Sequence, residues 1–415
     1  MEFSILVYVL MIIALAKGLG EVLSRVNQPA IVGELLAGIV LGPFILGKIF
    51  TGLGNMYDDQ FIKNLGDLGM LFLMLYVGLE FSPKLIRSAS WLGGAIAAAG
   101  IGVPFVVGLL AGVYFDLAGP TLVFVAIAMS VTALPVTIRV LKDMEVLKTR
   151  TSATIVSAAL ITDVVLLFAF GVILGANEQS NTFETVAYLS VSFVIFFALA
   201  LIVGRYFVPH VYRVLRWMRT GEAAFAIAVG IAIGFAIVAE WAGLPGVIGA
   251  FVAGLLLRET GTRLKVWTRV EDILSGVTLG FLAPIFFVVI GFTVDFGSVV
   301  DYLPFFASIL VIAILGKIAG SYFAARIGGL GRNESMAIGS MMMGKGAMEL
   351  VFAQLAFEQG LIERYLFSLL VLTAFLSTIL APMLFKIYYN KAVKAQEIPV
   401  EAKEHNVLAE SISSR

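Results

Sequence analysis

The sequence contains no cysteine and only two histidines among its 415 residues. Without cysteine, disulfides, thiol nucleophiles and thiolate metal sites are excluded. His210 lies in a basic stretch and His405 in a polar one, so a histidine metal site or a Ser-His-Asp triad is not expected. Since no nucleophile–base pair or phosphate-binding loop stands out either, we predict neither an enzyme nor a bound cofactor.

Charge is scarce as well. Charged residues make up 13% of the chain and hydrophobic residues 60%, and the mean hydropathy is +1.01. A soluble domain has about 25% charged and 45–50% apolar residues. The composition therefore predicts an all-α protein that crosses the lipid bilayer many times. The formal net charge is +0, and we expect no nucleic-acid partner.

Apolar runs of roughly 20 residues match a hydrocarbon core about 30 Å thick. They predict thirteen transmembrane helices, of which the seventh is over-long and suits a tilted linker. The predicted helices cover 3–24, 30–50, 65–83, 90–114, 119–141, 151–176, 184–213, 221–241, 244–260, 272–295, 303–326, 333–357 and 361–388. Residues 390–415 are polar and are predicted to form a mobile tail without a regulatory domain. Only Glu2 precedes the first run, so we expect no cleaved signal peptide.

Basic residues are concentrated after the odd-numbered predicted helices. After the even-numbered ones only Lys48, Lys63 and Arg364 are found. Cytoplasmic loops carry the excess of Lys and Arg in membrane proteins. We therefore expect a multi-pass protein of the plasma membrane, with its N-terminus outside and its C-terminus in the cytoplasm.

An internal repeat is visible at an offset of about 215 residues. AIVGELLAGIVLG (30–42) aligns with GVIGAFVAGLLLR (246–258), and LFLMLYVGL (71–79) aligns with PIFFVVIGF (284–292). Because an odd number of helices separates the copies, the two repeats run in opposite directions through the membrane. Inverted repeats are typical of secondary transporters, whose sites lie at the midplane between broken helices.

Two breaks are predicted at equivalent places in these repeats. Pro135 in helix 5 removes a backbone donor and frees the backbone near Thr132. In helix 12, Gly344 and Gly346 flank Lys345. Irregular backbone at this depth is tolerated only where it is buried in protein or lines a cavity. We expect the two broken helices to cross beside a carboxylate in helix 6.

That carboxylate is Asp163, in the apolar stretch SAALITDVVLLFAF. A charge at the bilayer centre costs at least about 2.5–3.5 kcal/mol on insertion scales, so such residues are functional by default. We expect Asp163 to bind a proton and a small monovalent cation, Na⁺ or K⁺, in alternation. Thr162, Ser130 and Thr132 could supply further oxygens. A purely structural Asp163 would need a fixed cationic partner, for which Lys317 in helix 11 is the candidate.

The remaining intramembrane charges are predicted to support the structure. Lys317 could pair with a carboxylate, donate to freed carbonyls or titrate, and we favour a structural or modulatory role. Lys345 and Glu349 are four residues apart and can face each other on one helix. Glu80 and Asp295 follow equivalent helices of the two repeats, and ordinary helix-end roles are expected for both.

The sequence resembles the second branch of the monovalent cation:proton antiporter superfamily, which includes NapA-type sodium/proton antiporters, plant cation/proton exchangers and Kef potassium efflux systems. The resemblance is carried by SVTALPVTIRVLKDMEVLKTR followed by SAALITDVV, and by NQPAIVGELLAGIVLGP, LGMLFLMLYVGLEF, PIFFVVIGFTVD, ILGKIAGSYFAA and GKGAMELV. It implies an antiporter fold of the NhaA/NapA type and a homodimer. It also implies a scaffold of residues 1–85 and 220–300, a transport core of 86–180 and 301–389, a linker helix at 181–219, and an elevator-like cycle.

One departure concerns stoichiometry. Electrogenic relatives carry two adjacent acids where this chain has Thr162 and Asp163, and Thr carries no charge. We therefore expect electroneutral exchange of one cation for one proton, with sodium favoured and lithium also possible. Potassium/proton exchange and a Kef-like potassium efflux protein are the alternatives. A passive channel and a sodium-coupled organic anion symporter fit the sequence less well.

Overall fold

A computed structural model describes residues 3–26, 28–43, 46–49, 56–57, 59–80, 91–147, 149–175, 221–261 and 265–398, together with a few positions between 191 and 202. The regular elements in these ranges are all helices. Twelve of the thirteen predicted segments are helical there. The seventh segment (184–213), most of the predicted linker (181–219) and residues 399–415 of the predicted tail lie outside the described residues.

The helices follow the order that the apolar runs predict. Those of the first half are α1 (Phe3–Arg25), α2 (Ala30–Leu41), α3 (Leu46–Ile49), α4 (Gln60–Glu80), α5 (Trp91–Tyr114), α6 (Gly119–Met129), α7 (Leu134–Asp143) and α8 (Arg150–Gly175). Those of the second half are α9 (Gly221–Trp241), α10 (Gly246–Gly261), α11 (Lys265–Val277), α12 (Ala283–Thr293), α13 (Phe296–Asp301), α14 (Leu303–Val311), α15 (Lys317–Ile327), α16 (Arg332–Met342), α17 (Ala347–Glu358) and α18 (Arg364–Lys394). One π-helical turn (Thr278–Leu282) joins α11 to α12, and another (Ile312–Gly316) joins α14 to α15.

Eight helical stretches among the described residues are long and apolar enough to cross a membrane. The shorter apolar helices α2, α6 and α10 accompany them. With the apolar composition, these helices make the chain a multi-pass membrane protein. The prediction of an all-α polytopic fold is confirmed.

Several helix boundaries differ from the prediction, and two of the differences have a clear physical reason. Helix 2 was expected to reach residue 50, but α2 ends at Leu41 because Pro43 follows Gly42 and disfavours helical backbone before it. The tail was expected to begin at residue 390, but α18 continues to Lys394. Ala392 and Ile398 are buried. Apolar side chains therefore pack this segment against the protein, although its composition is polar.

The chain divides into two compact units. The first unit comprises Met1–Lys84, Leu167–Tyr302 and Leu350–Val371, and the second comprises Leu85–Leu166, Leu303–Glu349 and Leu372–Arg415. α8 therefore contributes its first part to the second unit and its last part to the first. The scaffold and core ranges implied by the family resemblance stay a prediction.

Glycines in the first unit show how the inverted repeats pack. A Cβ added at Gly38 of α2 would lie 2.4 Å from the carbonyl oxygen of Val288 in α12. A Cβ added at Gly254 of α10 would lie 2.3 Å from the carbonyl oxygen of Leu75 in α4. Only glycine permits backbones to approach this closely. Each repeat thus packs its first helix against the second helix of the other repeat, which confirms the inverted repeat.

The helices that precede these segments follow the same symmetry. A Cβ at Gly33 would lie 2.5 Å from the carbonyl oxygen of Leu19 in α1, and one at Gly249 would lie 2.1 Å from that of Phe235 in α9. Small residues at such crossings let membrane helices associate closely. Apolar packing of α1, α2 and α12 completes the core of the first unit around Ile12.

The two predicted helix-end acids differ in detail. Asp295 accepts hydrogen bonds from the backbone amides of Gly297 (2.9 Å) and Ser298 (3.4 Å), and so caps the N-terminus of α13. Partial burial would raise the pKa of Asp295, but the hydrogen bonds from Ser298 and Gly297 outweigh it and hold the pKa below its usual range. Glu80 ends α4, and its Oε2 is buried without a hydrogen-bond partner among the described residues.

Candidate ion-binding site

The first helix break separates α6 from α7 in the second unit. α6 ends at Met129, and Val131–Ala133 are not helical before α7 begins at Leu134. Pro135 lies in the first turn of α7, where its missing amide needs no partner. The break predicted from Pro135 is therefore present, and the proline starts the second half-helix.

The second break separates α16 from α17. Residues 343–346 are not helical, and they contain both predicted glycines. A Cβ added at Gly346 would lie 2.6 Å from the Cβ of Ala133, so the close approach of the two breaks requires glycine here. The backbone amide of Ala133 donates to the carbonyl of Gly344 at 2.8 Å. The Oγ1 of Thr132 donates to the carbonyl of Met342 at 2.7 Å.

The two breaks thus satisfy each other's backbone groups. This pairing explains how irregular backbone persists at this depth, since an unpaired group would cost free energy in an apolar environment. The prediction of two crossed broken helices, one in each repeat, is confirmed.

Asp163 faces the first of these breaks from α8. Its side chain is buried, and Oδ2 accepts a hydrogen bond from the backbone amide of Leu134 at 3.3 Å. Leu134 is the first residue of α7, where unpaired amides and the helix dipole give a partial positive charge. The N-terminus of a half-helix therefore stabilises the carboxylate without neutralising it by a full cation.

Two buried lysines satisfy the opposite helix end. Lys345 donates from Nζ to the carbonyl of Ala128 at 2.5 Å, and Lys317 donates from Nζ to the carbonyl of Ser130. These carbonyls belong to the last turn and the C-cap of α6. Cations are favourable at helix C-termini, and the freed carbonyls need donors. Both lysines are therefore placed to stabilise the end of α6.

Lys345 also forms an ion pair with Glu349 of α17. The Nζ–Oε1 distance is 2.6 Å, and both side chains are only 1% exposed. Glu349 lies in the first turn of α17, where an acid is favourable. The predicted i,i+4 contact is present in the structure.

Lys317 does not form an ion pair with Asp163. Among the described residues of the second unit, the ion pair with a nitrogen–oxygen distance within 4.0 Å is Lys345–Glu349. Lys317 is close enough to Asp163 for their charges to interact. Of the roles open to Lys317 in the sequence, the geometry matches donation to a freed carbonyl, and a part in proton transfer stays untested.

The predicted oxygen ligands have different surroundings. Thr162, beside Asp163, is fully buried, and its hydroxyl has no hydrogen-bond partner among the described residues. The hydroxyl of Ser130 donates to the carbonyls of Ala126 (3.0 Å) and Ile101 (3.2 Å). Thr132 donates to the α16 carbonyl described above. The Asp163 carboxylate and the free Thr162 hydroxyl are hard oxygen donors of the kind that small cations bind.

Two other threonines near the breaks were not predicted from the sequence. Thr137 of α7 is fully buried, and its hydroxyl lacks a hydrogen-bond partner in the described part of the chain. Its position two residues after Pro135 was the available signal. Thr378 of α18 donates to the carbonyl of Lys345 at 2.9 Å and so binds the second break. No local pattern marks Thr378, because the contact joins positions 33 residues apart.

Comparison with known proteins agrees with this architecture. The chain is 30% identical over 403 residues to the Na⁺/H⁺-K⁺ antiporter GerN of Bacillus cereus, covering 96% of this chain and 100% of GerN. It is 29% identical over 399 residues to a Na⁺/H⁺ antiporter of Enterococcus hirae, covering 95% and 100%. It shares the fold of the sodium proton antiporter MjNhaP1 of Methanocaldococcus jannaschii, with a TM-score of 0.69, 15% identity and coverage of 94% and 98%.

The family model described as "Sodium/hydrogen exchanger, transmembrane" matches residues 8–391, which include both breaks and the helix that carries Asp163. The chain therefore belongs to the sodium/hydrogen exchanger family, within the monovalent cation:proton antiporter superfamily.

Proposed function

We propose that the protein is a secondary transporter that exchanges a monovalent cation for a proton. The observation that carries the proposal is the buried Asp163 carboxylate, bound by the first amide of α7 where two broken helices meet. One carboxylate can hold a proton or coordinate a hard cation, but not both at once. Competition at Asp163 would couple the two gradients, because each ion leaves only when the other replaces it.

Alternating access follows from this competition. Asp163 must open to one side of the membrane at a time, since simultaneous opening would dissipate both gradients. We propose that residues 86–180 and 301–389 carry the site past a scaffold of 1–85 and 220–300 in an elevator-like movement within a homodimer. The inverted repeats support this proposal, because the two halves of such a fold can exchange conformations to give outward-open and inward-open states.

Sodium is the favoured cation, with lithium as a further substrate. The Enterococcus hirae relative is named a Na⁺/H⁺ antiporter. Potassium remains the second candidate, because the GerN relative is named a Na⁺/H⁺-K⁺ antiporter. We place the protein in the plasma membrane with its N-terminus outside, as the distribution of basic residues indicates.

Dissipation of a pH gradient tests the proposed function directly. Purified protein is reconstituted into liposomes with an acidic interior, and sodium, lithium or potassium is added outside. We expect sodium to collapse the gradient, lithium to act less strongly, and empty liposomes to show no response. A gradient that is insensitive to all three cations would overturn the proposal.

The Thr162–Asp163 pair predicts electroneutral exchange. Asp163 is the acid of this pair, and one carboxylate releases one proton for each monovalent cation that it binds. On liposomes adsorbed to a solid-supported membrane, a sodium jump should give proton exchange without sustained charge movement. A transport current that scales with the sodium concentration would contradict one-for-one exchange and point to Lys317 as a second proton carrier.

A further inference from the structure

The segment that follows α18 folds back onto the start of α16. The amide of Glu397 donates to the carbonyl of Ala392 at 2.9 Å, and the amide of Gln396 donates to that of Val393 at 3.1 Å. Gln396 has a φ of 56°, the left-handed backbone that ends many helices and that glycine usually occupies. Ile398 is buried, at 2% exposure. The chain therefore makes a defined turn at 395–398, although the composition of this segment predicts a mobile tail.

This turn directs the Glu397 carboxylate to the N-terminus of α16. Oε2 accepts from the backbone amide of Glu334 at 2.8 Å, and Oε1 accepts from the side-chain amide of Asn333 at 3.0 Å. The N-cap residue of α16 is Gly331, which has no side chain to supply a cap. Glu397 thus performs the capping that Ser, Thr, Asp or Asn usually provides within the helix itself.

Gly331 is also the residue that leaves room for this contact. A Cβ at position 331 would lie 2.4 Å from Cδ and 2.5 Å from Cγ of Glu397. The φ of Gly331 is −60°, which any residue adopts. The glycine at position 331 is therefore explained by the space that Glu397 occupies. It is not required by the backbone conformation.

The capped helix leads directly to the candidate site. The first turn of α16 is capped by Glu397, and its last turn leads into the break at 343–346. In that break, Thr378 of α18 donates a hydrogen bond to the carbonyl of Lys345. α18 and the turn after it therefore contact both the first turn of α16 and the break that follows its last turn. Glu334 extends the connection, because its Oε1 accepts from the hydroxyl of Thr151 (2.7 Å) in the first turn of α8. α8 is the helix that carries Asp163.

We propose that Glu397 is a positioning residue for ion exchange, acting through α16 on the break at 343–346, which is hydrogen-bonded to the break that faces Asp163. The proposal rests on the proposed function, since the affected quantity is cation binding during transport. Without the cap, the first turn of α16 frays. Residues 342–346 can then shift along the axis of α16. The site then loses preorganised geometry and binds the cation more weakly.

Four variants test this role in the liposome assay, with sodium as the probe. Glu397→Gln removes the charge, Gly331→Ala displaces the carboxylate, and a chain ending after residue 396 removes Glu397 altogether. A chain ending after residue 398 keeps the cap and is the matched control. For the first three we expect the apparent KM for sodium to rise about two- to thirtyfold, the range that loss of a helix cap corresponds to. The control should retain the KM of the full chain.

A rescue experiment separates positioning from a general loss of folded protein. Because the chain has no native cysteine, the double variant Gly331→Cys/Glu397→Cys can form one defined disulfide. We expect a raised KM in the reduced form and a restored KM after oxidation, with the same amount of folded protein in both.

The outcomes distinguish this proposal from the proposed function. Sodium-dependent exchange by the full chain, together with an unchanged KM in all three cap-disrupting variants, would overturn the positioning role alone. An equal KM in the reduced and oxidised double-cysteine variant would overturn it as well. A full chain that exchanges no cation would overturn the proposed function, and the positioning role with it.

Discussion

Replacing Asp163 by Asn should reduce cation-driven proton exchange to the level of empty liposomes. Asn is close to Asp in size and still accepts a hydrogen bond from the amide of Leu134, but it neither binds a proton in the relevant range nor carries the charge that attracts a cation. The loss should appear at every sodium concentration and every pH, because neither more sodium nor more protons can restore the missing carboxylate. Collapse of the pH gradient by sodium, lithium and potassium measures the effect.

Asp116→Asn is the matched control for this substitution. Asp116 is an exposed aspartate of the second unit, and its φ of 60° is one that Asn tolerates well. The same change in chemistry should leave exchange unaffected there. Residual sodium-dependent exchange by Asp163→Asn above the level of empty liposomes would show that Asp163 is not the exchanging group. Passive cation conduction through that variant would favour a channel.

Parts of the site could be predicted from the sequence because they depend on local covalent chemistry. Pro135 cannot supply an amide, which favours a break near it. A proline alone does not decide the matter, because α5 continues through Pro104 and α18 through Pro382. Gly344 and Gly346 within an apolar run also indicate interrupted helix. An aspartate in the middle of an apolar helix is costly and is seldom kept without a function, so Asp163 could be predicted as the candidate ion-binding residue before any of its contacts was known. The inverted repeat placed these features together, because the two copies of a repeat occupy equivalent positions.

Other parts depend on contacts that no local pattern contains. The sequence left three roles open for Lys317, and only the structure shows that its Nζ donates a hydrogen bond to the carbonyl of Ser130. In the sequence, Thr378 looks like any threonine that donates a hydrogen bond to the backbone of its own apolar helix. Its contact with the carbonyl of Lys345 is visible only in the folded structure. Glu397 was assigned to a mobile tail, because composition averages over a window and hides one buried isoleucine and one paired carboxylate. Sequence periodicity therefore predicts the helices, whereas the contacts between their ends require the fold.

Breaking the Lys345–Glu349 pair should be among the most destabilising single changes in the chain. Glu349→Gln leaves the ammonium of Lys345 buried without an opposite charge, and removal of one partner of a buried pair costs about 3–5 kcal/mol. The same substitution at Glu21, whose i,i+4 partner Arg25 is also exposed, should cost less than about 0.5 kcal/mol. The melting temperature of the detergent-solubilised protein should therefore fall by several degrees for Glu349→Gln and stay nearly unchanged for Glu21→Gln.

The double variant Lys345→Met/Glu349→Met identifies the origin of that cost. Without either charge, no buried ion is left uncompensated, so the double variant should melt above Glu349→Gln. It should still melt below the natural sequence, because the carbonyl of Ala128 loses its donor, and an unsatisfied buried acceptor costs about 1–3 kcal/mol. A double variant that melts below Glu349→Gln would show that the pair stabilises the crossed helices by more than charge compensation. A melting temperature equal to that of the natural sequence would show that the α6 carbonyl needs no donor from Lys345.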